Sequence, residues 1–101
     1  MKKLDSLKIG AIRYKVAYVP DLRAGDITLD GLLQHNQTQI NLDADMNHQA
    51  TTQTLLHEAV HAIAAQIGKQ SMNENTVDAL AYAVYQLMRD NPELVKMIRK
   101  S

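Results

Sequence analysis

The run Thr54-Leu55-Leu56-His57-Glu58-Ala59-Val60-His61 constrains this chain more than any other stretch. It contains H-E-x-x-H, a pattern that does chemistry only on a helix. At about 100° per residue, His57 and His61 fall one turn apart on one face. Two imidazoles so spaced can share a zinc ion, and Glu58, roughly a quarter turn round, can act as base toward a metal-bound water. The alternative is an exposed helix that carries these residues by accident. Ordinary residue frequencies put that accident at about a few per thousand chains of this length. The pattern therefore calls for a helix around it and a third ligand elsewhere.

A chain of 101 residues supports one domain with one core, spanning residues 1–101. It is 46% apolar but has no Phe, Trp or Cys, so that core must be aliphatic, filled out by Met and four tyrosines. Without cysteine there is no disulfide framework, which fits a reducing, cytoplasmic setting and leaves any metal to histidines and carboxylates. The charged start, Met1-Lys2-Lys3-Leu4-Asp5, precedes no long apolar run, so neither a signal peptide nor a membrane span is expected. Lys and Arg balance Asp and Glu at eleven each. Basic clusters at the ends (Lys2, Lys3, Lys8; Lys96, Arg99, Lys100) read as solvated termini, and no nucleic-acid partner is expected.

Leu7 to Val19 reads as strand, with Ile12, Tyr14, Val16 and Tyr18 on one face and a possible II′ turn at Gly10-Ala11. Pro20 and the polar stretch Asp21 to Asp26, which includes Gly25, end it. A second hairpin covers Ile27 to Leu42, with Leu32 and Leu33 before the turn and Ile40 and Leu42 after it. His35 falls at that turn, where solvent exposure is the ordinary outcome. The polar stretch Asp43 to Asn47 offers N-caps for a long helix ending near Ile67, with Gly68 as C′ stop. Its apolar stripe is Leu56, Val60, Ile63 and Ile67, flanked by Leu55 and Ala59, with the histidines beside it. His48, at the helix start, is expected at the surface. A second helix spans Met72 to Arg89 on Val77, Ala81, Val84 and Met88, widened by Leu80 and Leu87. Asn91-Pro92 breaks the chain and opens a short third helix, with Asn91 as N-cap, Pro92 at the first helical position, and Leu94, Val95, Ile98 and a possible Met97 to pack it.

Two histidines leave zinc under-coordinated. After His61 the candidates are Glu74, Asp78, Asp90 and Glu93. Glu74 and Asp78 share one face of the second helix beside its apolar stripe, so packing the two stripes together brings them toward the histidines. Ser71-Met72-Asn73-Glu74 also fits a capping box, in which Glu74 would fold back on Ser71. If Asn73 is the N-cap instead, Glu74 is free to reach the metal. Asp78 suits the outer role of holding an imidazole N–H. Tyr82 and Tyr85 continue this face, where core packing is the ordinary use.

His57-Glu58-Ala59-Val60-His61 followed by Asn73-Glu74-Asn75-Thr76-Val77-Asp78 resembles the gluzincin pattern of thermolysin-like metallopeptidases. The compact chain and the run Thr54 to His61 look closer to the short ImmA/IrrE-like and minigluzincin-like proteins often found in phage and prophage regions. The resemblance covers about Leu32 to Leu87. It implies that His57, His61 and Glu74 bind Zn2+, that Glu58 is the general base, that Asp78 orients His57 and that Asn73 supports His61. The implied fold is α+β: a small, twisted, mostly antiparallel sheet on the H-E-x-x-H helix, a second ligand-bearing helix and a short C-terminal helix. An edge strand of that sheet could pair with an extended peptide. Twelve residues separate His61 from Glu74, fewer than in larger gluzincins. No histidine or tyrosine for polarising the scissile carbonyl is assignable.

Three functions follow as expectations: a zinc endopeptidase acting on a peptide or protein substrate through Glu58; a zinc-stabilised binding or regulatory module; and a metal-free helical hairpin on a sheet. In one form of the second, Pro92 to Ser101 lies over the cleft and blocks it.

Overall fold

A computed structural model describes residues 3–101. Met1 and Lys2, part of the charged start and of one basic cluster, lie outside the described residues. The fold is α+β, with a small four-stranded sheet covered on one face by helices. Strand β1 (Ser6–Ile9) and β2 (Ile12–Val19) form the expected hairpin, Ile9 opposite Ile12. Gly10 turns it with φ +62°, the positive value a II′ turn needs at that position. A Cβ there would stand against the Gln66 side chain, whose Nε2 donates to the Ile9 carbonyl at 2.9 Å.

The polar stretch after Pro20 is not all loop. It contains a two-residue ladder of β3 (Arg23–Ala24) and β4 (Ile27–Thr28). The chain then runs through β5 (Gly31–Gln34), a 3-10 turn (His35–Gln37) and β6 (Gln39–Asp43), a hairpin shorter than the one expected from Ile27, which pairs in the β3–β4 ladder instead. The sheet order is β1-β2-β6-β5. Both outer pairs are antiparallel, but the central pair β2–β6 is parallel, from Lys15 opposite Gln39 to Val19 opposite Asp43. The sheet is therefore mixed.

Helix α1 (His48–Gln66) starts at Asn47, whose side chain accepts from Ala50 N–H at 2.8 Å. It ends in a Schellman motif: Gly68 has φ +75°, Lys69 N–H reaches the Ala64 carbonyl at 2.7 Å, and Gly68 N–H points to Ala65. Helix α2 (Glu74–Asp90) begins two residues later than expected, and α3 (Pro92–Arg99) has Pro92 in its first turn. Asn91 does not cap α3 with its side chain. Its Nδ2 instead donates to the Leu87 carbonyl and closes α2.

The buried face of α1 differs from the bulky stripe read in the sequence. Ala59 and Ala62 pack into the sheet core of Ile9, Tyr14, Val16, Ile40 and Leu42, with Leu55 beside them. Ile63 and Ile67 are 46% and 64% exposed. The sheet supplies large side chains, so the helix meets it best with small ones, which lets the two layers interdigitate. On α2, Val77 and Ala81 are buried, whereas Leu80, Leu87 and Met88 are largely exposed.

His35 is half-buried rather than solvated. Its Nδ1 lies 2.9 Å from the hydroxyl of the fully buried Tyr14, which the Gln66 amide also approaches at 3.4 Å. His48 is exposed, as expected.

Overpacking should separate the two faces of α1. Ala62→Leu should destabilise the fold by about 1–3 kcal/mol, and Ile67→Ala should change it by about 0.5 kcal/mol or less. Urea denaturation midpoints check both.

Candidate metal centre

Helix α1 sets the histidines one turn apart, with ring centroids 4.9 Å apart and planes inclined by 68°. The Schellman reversal sends α2 back along α1, and α2 begins with a ligand candidate. Asn73 is the α2 N-cap, its side chain accepting from Thr76 N–H at 2.8 Å. The capping box on Ser71 is therefore not formed through Glu74, and Glu74 turns instead toward the histidines.

Ligand atoms of His57, His61 and Glu74 all lie within 4.8 Å of one another, close enough to hold a metal ion. His61 Nε2 stands 3.1 and 3.3 Å from the two Glu74 carboxylate oxygens, and His57 Nε2 contacts Oε1. Tetrahedral bonds of about 2.0–2.1 Å would set neighbouring donors roughly 3.3 Å apart, so the spacing of His61 and Glu74 fits. Both imidazoles present Nε2 to the same point. Two nitrogens and one carboxylate oxygen are the donor set of an open site, three protein ligands with a fourth position left over.

His57 turns its other nitrogen outward: Nδ1 is 3.3 Å from Asp78 Oδ1. That placement matches the orienting role inferred for Asp78 in the sequence. Asn73 is placed differently from the resemblance. Its side-chain oxygen is taken up by Thr76 N–H, because a helix N-terminus leaves backbone donors that a capping side chain satisfies. It holds the start of α2, and through it Glu74, rather than His61. Of the other acidic candidates, Glu93 faces Lys96 at 3.3 Å on the surface of α3, and neither it nor Asp90 joins the cluster.

Glu58 is 8% exposed and lines the cleft beside the three donors. Burial pushes its carboxyl above the ordinary range, with Glu74 adding to the rise, against the opposing pull of His57, His61 and the Leu33 backbone N–H. Glu74 moves the other way. Its partial desolvation would raise it, but hydrogen bonds and charge from His61 and His57 outweigh that and hold it below the usual range.

The cleft wall opposite α1 is strand β5. A Cβ on Gly31 would stand 2.6 Å from Thr54 Cγ2 and 3.2 Å from Glu58 Oε2, so only glycine lets the strand lie this close. Asp43 N–H bonds the Asp30 carbonyl, so by antiparallel alternation Leu32 and Gln34 also face β6. The backbone N–H and C=O of Gly31 and the C=O of Leu33 are left pointing outward along the edge, while Leu33 N–H turns to the Glu58 carboxylate. Asp30, Gly31, Gln53 and Thr54 line the cleft and escape sequence reasoning. Asp30-Gly31 reads as turn chemistry there, and its only other signal is a glycine within an apolar run. Tyr82 and Tyr85 do not line the cleft. Tyr82 is 51% exposed and accepts from Gln86, and Tyr85 faces an apolar groove with Leu7 and Leu56. Nor does α3 cover the metal site. Among Pro92 to Ser101, Val95 faces that same apolar groove and no residue lines the cleft, so the blocking tail is not formed.

No model of a known family matches the chain, and neither does any curated protein or solved structure. Among the described residues, no helix is long and apolar enough to cross a membrane.

Metal analysis of the purified protein should find about one zinc per chain, lost in His57→Ala and in Glu74→Ala. Asp78→Asn should keep the stoichiometry but weaken affinity about 10–100-fold, read by competition with a chelating dye.

Proposed function

We propose that this chain is a zinc metallopeptidase of minimal gluzincin type, cleaving peptide bonds at the His57, His61 and Glu74 centre. The observation that carries this reading is the placement of Glu58. It is a buried carboxylate one residue from a metal-ligand candidate, lying between the donor cluster and a sheet edge whose outward backbone groups can take an extended chain. Zinc in such a site supplies a bound water acidified toward neutrality and a Lewis acid for the carbonyl.

The chain's own residues supply the rest. Glu58, with its carboxyl raised by burial, accepts a proton from the attacking water at a carboxylate oxygen and delivers it to the departing amine. Asp78 holds the His57 ring through Nδ1, leaving Nε2 for the metal. The backbone N–H and C=O of Gly31 and the C=O of Leu33 align a substrate strand beside Glu58, whose carboxylate already takes the Leu33 N–H. The likeness to ImmA/IrrE-like and minigluzincin-like proteins of phage type supports the same reading.

A second reading, a zinc-held binding module with little turnover, is favoured by one observation. No tyrosine lines the cleft to polarise a carbonyl, since Tyr82 and Tyr85 face elsewhere.

Glu58→Gln should retain one zinc per chain and lose about 10²–10⁴-fold in peptide cleavage, measured on a quenched-fluorescence peptide library. Equal activity in the variant overturns the mechanism. A zinc-loaded wild type that cleaves nothing in the library points to the binding module.

A further inference from the structure

Two hollows flank the donor cluster, and their chemistry differs. Both are lined by Gly31, His57, Glu58 and Glu74. The first, of about 400 Å³, adds Asp30, Gln53, Thr54 and Asp78, and among the described residues has no Lys or Arg in its lining. The second, of about 450 Å³, adds Leu29, Leu32, Leu33 and His61.

We propose that the cleft selects peptides with a lysine or arginine on the Asp30 side of the metal and an aliphatic residue on the Leu29–Leu33 side. This inference rests on the peptide-binding reading of the site and adds the substrate class.

The charges support it when counted. Glu74 is engaged with both imidazoles and Asp78 with His57. Asp30 is exposed, immediately precedes Gly31, and makes no ion pair or side-chain hydrogen bond among the described residues. Its charge is therefore left over, in a concave site whose walls concentrate the field. A basic side chain brought beside it gains an attraction for which no lysine or arginine among the described lining residues competes. At the other end, a strand step of about 3.3 Å puts Asp30 and Leu33 roughly 10 Å apart along the edge. One short extended segment spans both, so its basic and aliphatic side chains are read together.

The test measures binding, using zinc-loaded Glu58→Gln protein so that the probes are not consumed. The probes are short, dye-labelled alanine-based peptides carrying Lys, Met or Glu at each position in turn, alone or with Leu a few residues away, followed by fluorescence anisotropy. At one position Lys should bind about threefold more tightly than Met, and Glu more weakly than either, with the spread shrinking in high salt. Leu should strengthen binding at the far end only. Adding Asp30→Asn should abolish the Lys preference and Asp30→Lys should shift it toward Glu, both with one zinc per chain. Equal affinities for Lys, Met and Glu, a preference unchanged by Asp30→Asn, or no peptide binding at all would overturn the proposal. So would a stoichiometry of two zinc ions reduced to one by Asp30→Asn, since the hollow would then hold a cation of its own. Binding and turnover fail separately: a charge preference in a protein that cleaves nothing removes the peptidase reading alone, and cleavage without charge preference removes this inference alone.

Discussion

The close seat of α1 on the sheet is the constraint on which everything else depends. Ala59 and Ala62 let the helix settle against Tyr14, Ile40 and Leu42, and Gly31 removes the one side chain that would hold β5 away. With α1 so placed, Glu58 is carried inside while His57 and His61 stay at the rim. A bulkier residue at any of these small positions would shift the helix. The site is thus defined as much by missing methyl groups as by its ligands, as expected where interiors are packed to crystal density.

Within that frame two carboxylates are driven apart. Glu58 lies where desolvation dominates, and Glu74 lies where two imidazoles outweigh it. Under the proposed mechanism, opposite displacement of neighbouring acids would divide labour between them, one ready to take a proton and one charged for a cation. The division follows from position alone. Glu58 is on the face of α1 turned to the sheet, whereas Glu74 opens α2 at the solvent edge.

Much of this was readable in the sequence, and the failures have physical causes. H-E-x-x-H, the Asn47 cap, the Gly68 stop and the Gly10 turn are local signals, and the structure forms each of them. The Glu74 ambiguity turned on which residue caps α2, and Asn73 resolves it. The buried face of α1 departs from the bulky stripe because periodicity weighs bulk, whereas a helix between a sheet and a second helix buries its small residues against large partners. The parallel β2–β6 pairing depends on a crossover that no local pattern encodes. The half-burial of His35 has no local signal, because its partner, Tyr14, is distant in sequence. Asp30 carries no local signal of the cleft, because only the folded cleft sets it beside the donor cluster.

Helix α2 is held thinly. It buries Val77 and Ala81 and leaves Leu80, Leu87 and Met88 largely exposed, yet it brings the carboxylate that faces both histidines. An ion gripped by His57, His61 and Glu74 would also be a clasp between the helices, since metal binding and folding draw on one free energy. Loss of the ion would loosen α2 before it loosened the sheet. The same cation that equips the cleft for chemistry would then decide whether its second wall stands, making the supply of metal a control on shape.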